Sequence, residues 1–132
     1  MGMLKNILHV DDDPDIREIA LIALETVSGF SVVQCSSGQE ALNCVEEVQP
    51  DLILLDVMMP DMDGEQTFQS IQKIKGFDST PVIFVTAKAH EEAISALLQK
   101  GAAGVVTKPF DPMTLGEQVQ AIWTRTRAER QP

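Results

Sequence analysis

Short apolar runs recur along the chain, and each is followed by a longer stretch whose apolar residues have helical spacing. One of these runs, Leu52–Leu55, has four large aliphatic residues in succession with no polar residue between them. A strand with one solvent-exposed face would alternate polar and apolar positions, so this run predicts a strand buried on both faces. In all, the sequence predicts five strands, at residues 7–10, 30–35, 52–55, 81–86 and 104–108.

Five helices are predicted from apolar residues that recur three or four positions apart. Asp13 followed by Pro14 is typical of a helix start, with an N-cap and a proline at the first helical position. Ser37 and Glu40 have the spacing of a capping box, which predicts the start of a second helix. The other helices are expected to begin at Gly64, Glu91 and Asp111-Pro112, and the inward positions of the fourth are expected to be Ala93, Ala96 and Leu97.

Regular alternation of strands and helices predicts an α/β fold, because parallel strands in one sheet need a crossover between them. We therefore expect a doubly wound five-stranded parallel sheet flanked by five helices. The 132 residues suit a single domain. We expect its core at about 5–124 and a basic C-terminal tail or linker stub at 125–132.

Charge and composition narrow the classes of function. Twenty acidic side chains against ten basic ones give a net charge of −10, which repels nucleic acid, so we expect no direct nucleic-acid binding. The chain has no apolar run of about 20 residues, so we expect a cytoplasmic protein that does not enter a membrane. The two cysteines, Cys35 and Cys44, are too few for a disulfide framework and lack metal-site spacing. We expect them to be buried or inert thiols.

Polar residues end four of the predicted strands. Carboxyl ends of parallel strands meet at one edge of a sheet, where open α/β folds place their ligand sites. Three carboxylates within several ångströms would repel one another by a few kcal/mol at an effective dielectric constant of about 20, so the edge is predicted to hold a cation. An oxygen-only donor set favours magnesium. The predicted edge residues are Asp11, Asp12, Asp56, Thr86 and Lys108.

The chain resembles the receiver (CheY-like) domains of two-component response regulators along nearly its whole length. The resemblance depends on the order and spacing of four motifs, which are Asp11-Asp12, Asp56–Gly64 with Pro60, Thr86-Ala87 and Lys108-Pro109. It implies a flavodoxin-like sheet with strand order 2-1-3-4-5. It also implies that the Lys108-Pro109 peptide bond is cis.

The resemblance implies a role for each residue of the edge. Asp56 would accept a phosphoryl group, Thr86 would hydrogen-bond to it, and Lys108 would pair with its charge. The implied Mg²⁺ ligands are Asp12, Asp56, the Met58 carbonyl and, mainly through water, Asp11. The domain would assist its own phosphorylation and dephosphorylation and would not be an enzyme acting on other molecules.

The resemblance also implies the partners. The phosphoryl donor would be a sensor histidine kinase or a histidine phosphotransfer protein, and the receiver of the signal would be a downstream protein or a missing output domain. The chain would be a monomer or a weak dimer through its fourth helix, fifth strand and fifth helix. One position departs from the family pattern, because Val105 replaces the aromatic switch residue of many receivers.

Two alternatives remain at this stage. Asp61-Met-Asp63-Gly64 is similar to the opening signature of the aspartate-nucleophile phosphatases, but Pro60 separates it from the preceding strand. The other alternative is a receiver-like scaffold that never accepts phosphate. Outside the edge, His9 lies in an apolar strand, which indicates a core histidine with its hydrogen bonds satisfied.

Overall fold

A computed structural model describes residues 3–130 and shows a single five-stranded parallel sheet. Numbered along the chain, the strands lie in the order 2-1-3-4-5, as predicted. None of the helices in residues 3–130 is long and apolar enough to cross a bilayer. The strands are β1 (Asn6–Val10), β2 (Ser31–Cys35), β3 (Leu52–Asp56), β4 (Val82–Thr86) and β5 (Gly104–Thr107).

Five helical segments connect and follow the strands, and the first of them ends in a π-helical stretch, Ile22–Val27. Asp13 caps α1 with Pro14 at its first position, as predicted. Ser37 Oγ accepts from Glu40 N, but the Glu40 carboxylate accepts from Ser36 N, so only half of the predicted capping box forms. The helices are α1 (Pro14–Leu21), α2 (Gly38–Val48), α3 (Gly64–Gln72), α4 (Glu91–Gln99) and α5 (Leu115–Arg130).

The sheet is covered on both faces, which explains the uninterrupted apolar run in its central strand. All five residues of β3 are buried. Residues of α2, α3 and α4 pack on one face, and residues of α1 and α5 pack on the other. The doubly wound arrangement therefore buries the sheet and leaves its carboxyl edge free for polar groups.

The last helix departs from the prediction at its start. Asp111 accepts backbone hydrogen bonds from Thr114 and Leu115, and its side chain accepts from Met113 N. These bonds form a turn over 112–114, so α5 begins at Leu115 and not at Asp111-Pro112.

The same helix continues through the basic segment. Thr126 is buried, and Arg125 Nη2 donates to the Ala103 carbonyl at 3.1 Å. The Arg127 guanidinium carbon lies 5.1 Å from the centre of the Trp123 ring. Residues 125–130 of the expected tail are thus the last turns of a docked helix, and residues 131–132 lie outside the described range.

One predicted core position in α4 is wrong. Leu97 is buried and Ala93 is partly buried, but Ala96 is exposed. The reason is a cleft of about 180 Å³ between this helix and the loops that follow β3 and β4. Ala96 lines the cleft together with Thr86 and therefore does not reach the sheet.

Gly64 brings the start of α3 against the end of β3. Its amide donates to the Val57 carbonyl at 2.9 Å. A Cβ atom at this position would lie 2.8 Å from Val57 Cα and closer still to the Asp56 carbonyl oxygen. Both are backbone atoms, which cannot rotate away, so only glycine fits here.

We expect Gly64→Ala to lower the free energy of unfolding by about 2 kcal/mol, because the new methyl group overlaps the backbone of β3. Urea denaturation measures the change. Gln69→Ala, at an exposed position of α3, is the matched control and should change the free energy by less than about 0.5 kcal/mol. Equal losses in the two variants would contradict the close-approach argument.

Candidate functional site at the carboxyl edge of the sheet

Asp11 is held in place directly after β1. Its amide donates to the Cys35 carbonyl at 3.1 Å, which continues the pairing of β1 with β2. Its Oδ1 accepts from Asp13 N at 2.9 Å, and its carbonyl accepts from Arg17 Nη1 at 2.8 Å. Asp11 is fully buried, whereas the neighbouring Asp12 is exposed. Asp11 is therefore a buried residue held by hydrogen bonds, whereas Asp12 faces solvent.

Asp56 ends β3 beside this pair. Its side chain is 5% exposed, and oxygens of Asp11, Asp12 and Asp56 all lie within 4.8 Å of one another. The predicted convergence of these three acids is thus present. Charged carboxylates at this separation repel one another by a few kcal/mol at an effective dielectric constant of about 20, and a nearby cation would offset this repulsion.

Lys108 provides the cationic group. Its Nζ lies 3.1 Å from Asp11 Oδ2 and 3.1 Å from Asp56 Oδ1. Its amide donates to the Thr86 carbonyl at 2.8 Å, so β4 anchors the backbone that carries this side chain. The Lys108-Pro109 peptide bond is cis, as the sequence resemblance implied.

The pKa values of the site reflect its excess of negative charge. Burial raises the pKa of Asp56, the Asp11 carboxylate raises it further, and Lys108 offsets part of the shift, leaving a pKa of about 6. Burial lowers the pKa of Lys108, but its contacts with Asp11 and Asp56 outweigh burial and leave that pKa above its ordinary value. Near neutral pH the Lys108 ammonium is therefore charged, and its positive charge offsets part of the repulsion between the carboxylates.

Thr86 lies at the end of β4, next to Asp56. Asp56 pairs with Val85 in the sheet, so the hydroxyl of the next residue is at the same edge. Thr86 is buried, and its Oγ1 accepts from Lys88 N at 3.0 Å. The residue also lines the 180 Å³ cleft under α4.

Two further predicted positions lie at the margins of the site. Met58 is in the loop after β3, and the residue is 68% exposed. Val105 is in β5, where it pairs with Phe84 and packs against the core face that includes α4. A valine at this place is stiff at χ1 and too short to swing between two positions.

The donor atoms fit a hard divalent cation. The three converging side chains offer carboxylate oxygens only, which is the ligand type of Mg²⁺. Asp11 Oδ2 is buried and accepts no hydrogen bond from the described residues; its 3.1 Å contact with Lys108 Nζ is an ion pair without hydrogen-bond geometry. A buried oxygen of this kind, in an acidic cluster with one ammonium, is suited to a cation contact.

The sequence did not indicate the polar network behind Asp11. Gln34 Nε2 donates to the Arg17 carbonyl at 2.7 Å and lies 3.1 Å from His9 Nδ1. His9 was predicted to have its hydrogen bonds satisfied, and this is wrong for Nε2, which is buried without a partner in the part of the chain that is described. Burial lowers the pKa of His9 to about 4, so the ring is neutral near pH 7.

The residues of the phosphatase-like signature have a different role in the structure. Asp63 is the N-cap of α3 and forms a full capping box with Gln66. Asp61 is exposed in the preceding loop with a positive φ of 66°. The acids that converge are those at the ends of β1 and β3.

Fold and site together define a class of signalling protein. The chain belongs to the response regulator receiver domain family, whose family model matches residues 7–120. It is thus a receiver domain of two-component signal transduction, a class that accepts a phosphoryl group on an aspartate. This assignment decides against the phosphatase alternative.

Comparison with individual proteins supports the same family assignment. The alkaline phosphatase synthesis transcriptional regulatory protein PhoP of Bacillus subtilis is 39% identical over 124 residues, covering 94% of this chain and 50% of PhoP. An uncharacterised 14.6 kDa protein of Leptolyngbya boryana is 38% identical over 115 residues, covering 87% of each chain. The solved structure of the chemotaxis protein CheY4 of Vibrio cholerae is 30% identical, with a TM-score of 0.83, covering 92% of this chain and 99% of CheY4.

Several curated relatives that the chain matches, PhoP among them, are longer, and the chain spans about half of their length. The matched half is the receiver. What the remaining half of each relative does is a property of that relative.

We expect Lys108→Met to lower the free energy of unfolding of the metal-free protein by about 2 kcal/mol at pH 7, because two buried carboxylates lose their cation. Chemical denaturation in the presence of a chelator measures the loss. Lys88→Met, at an exposed lysine two residues beyond Thr86, is the matched control and should be nearly neutral. If Lys108→Met is also neutral, the ion pairs do not hold the site together.

Proposed function

We propose that Asp56 is the phosphoacceptor of this receiver. The observation that carries the proposal is the placement of its carboxylate at the end of β3, 3.1 Å from Lys108 Nζ and beside two more acids. Asp11 is less suited to the role, because it is fully buried and its Oδ1 already accepts from Asp13 N. In the transfer step, an Asp56 oxygen forms a bond to phosphorus while the bond from phosphorus to a donor histidine nitrogen breaks.

Mg²⁺ is the proposed cofactor. Asp12, Asp56 and the Met58 carbonyl would hold it, with Asp11 acting mainly through water. When bound, the ion would supply positive charge against the oxygens of the transferring phosphoryl group. The exposed position of Asp12 and the loop position of Met58 leave this side of the site open to solvent and to a donor protein.

Lys108 and Thr86 are proposed to bind the phosphoryl group. The Lys108 ammonium already contacts Asp56, so it would neutralise a phosphoryl oxygen attached there with little movement. The Thr86 hydroxyl would donate a hydrogen bond to a second phosphoryl oxygen. Through these contacts the domain would assist its own phosphorylation, and a water molecule in line with phosphorus would reverse it.

We propose that the signal leaves the site through Thr86 and α4. Thr86 lines the cleft under α4 together with residues of that helix, so a shift of its side chain toward Asp56 would change the packing there. Val105 is too short to follow the hydroxyl as an aromatic side chain could. The surface formed by α4, β5 and α5 would therefore respond through shifts of backbone and helix, and it is the proposed face for a partner or a weak dimer.

The proposed donor is a sensor histidine kinase or a histidine phosphotransfer protein in the cytoplasm. The proposed target is a downstream protein or an output domain. Residues 1–132 are proposed to form a single receiver domain. The net charge of −10 disfavours direct contact of this chain with nucleic acid.

Incubation with acetyl phosphate and Mg²⁺ should add the mass of one phosphoryl group to the intact protein, because a small acyl phosphate can replace the donor protein. The gain should disappear in Asp56→Asn and in the presence of a chelator. Asp61→Asn, in the adjacent exposed loop, is the matched control and should be labelled like the unmodified chain. A gain of the same size in Asp56→Asn would place the acceptor elsewhere, and no gain in the unmodified chain would favour the scaffold alternative.

A further inference from the structure

The two cysteines, expected from the sequence to be buried or inert, form a contacting pair. Cys35 ends β2 and Cys44 lies in α2, and their sulfur atoms are 3.2 Å apart. Both are free thiols in the structure. A disulfide bond is about 2 Å long, so the sulfur atoms would need to approach by only about 1 Å to form one.

The two thiols have different surroundings. Cys35 is 3% exposed and belongs to the core under α2. Cys44 is partly exposed, and its Sγ also lies 3.6 Å from the Ala41 carbonyl. Burial raises the pKa of the Cys35 thiol well above its ordinary value, and the hydrogen bond with Cys44 raises it further. Cys44 is therefore the more accessible of the two residues.

We propose that Cys35 and Cys44 are a redox-active dithiol that closes to an intramolecular disulfide when it meets a low-molecular-weight disulfide such as glutathione disulfide. The Cys44 thiolate attacks one sulfur of the oxidant, which forms a mixed disulfide and releases one glutathione thiolate. Cys35 sulfur then attacks Cys44 Sγ and displaces the second glutathione, whose sulfur takes up the Cys35 proton. The protein loses two hydrogen atoms, and one oxidant molecule becomes two thiols.

The order of the steps follows from the geometry. Cys35 has no path to the oxidant, but its sulfur is already in contact with the atom it must attack. Burial is the main cause of the raised pKa of Cys35 and remains in the mixed disulfide, but the hydrogen bond with the Cys44 thiol, which is the second cause, is removed. A disulfide of this kind is reversible, which matches the transient and regulatory disulfides found in reducing compartments.

The pair adjoins the phosphorylation site without belonging to it. The Cys35 carbonyl accepts the hydrogen bond of Asp11 N at 3.1 Å. A disulfide bond between Cys35 and Cys44 would covalently join α2 to the end of β2, at the residue that accepts this hydrogen bond. The proposal does not depend on Asp56, since thiol oxidation can be measured on the unphosphorylated protein.

The test is an intact-mass measurement of the folded protein after incubation with glutathione disulfide, quenched in acid. The unmodified chain should lose two hydrogen atoms and retain no glutathione. Cys35→Ala should accumulate one glutathione on Cys44, because the resolving thiol is missing. Cys44→Ala, with only the buried thiol left, should react at least about tenfold more slowly. Alanine is the replacement because a buried cysteine packs as a small hydrophobic residue.

Two results would overturn the proposal. One is a stable mixed disulfide on the unmodified chain, which would mean that Cys35 does not reach Cys44 Sγ. The other is an unmodified chain whose mass does not change, which would mean that the oxidant does not react with Cys44 and that the two sulfur atoms do not close. We expect the melting temperature to rise, because the bond joins residues already in contact and restricts the unfolded chain.

Discussion

An excess of carboxylates over cations at one edge of the sheet is the constraint on which the site depends. Asp11, Asp12 and Asp56 converge within 4.8 Å, and Lys108 is the ammonium group in contact with the two buried ones. Burial raises the pKa of Asp56 and this imbalance raises it further, which suits the edge to a divalent cation and to phosphoryl chemistry. The metal-free edge is therefore costly to keep fully charged, and ligands that bring positive charge should stabilise it.

The fold is what makes this imbalance tolerable. Helices cover both faces of the sheet and bury the apolar side chains of its strands, whereas the carboxyl edge of the sheet carries polar groups. Backbone bonds between neighbouring strands hold the groups in place: the Asp11 amide on Cys35, and the Lys108 amide on Thr86. Gly64 lets α3 begin directly against the end of β3. Both anchoring bonds join backbone atoms, so the position of each charged residue at the edge does not depend on its own side-chain contacts.

The features that follow from strand ends could be predicted from the sequence. A buried strand that ends in a charge must place that charge at the sheet edge, so the convergence around Asp56 needed only the parallel topology. Contacts that depend on side-chain direction could not be predicted in this way. Three such features are the 3.2 Å approach of Cys35 and Cys44, the unpartnered Nε2 of His9, and the exposure of Ala96 over a cleft.

The most direct test of the charge-imbalance account is the titration of the Asp56 carboxyl carbon by NMR in the metal-free protein, with and without Asp11→Asn. The account predicts a pKa of about 6 in the unmodified chain, compared with an ordinary value of 3.8. It also predicts a lower pKa in Asp11→Asn, because the like charge of Asp11 is removed while burial remains. An ordinary pKa in the unmodified chain, or a raised pKa that Asp11→Asn leaves unchanged, would contradict it.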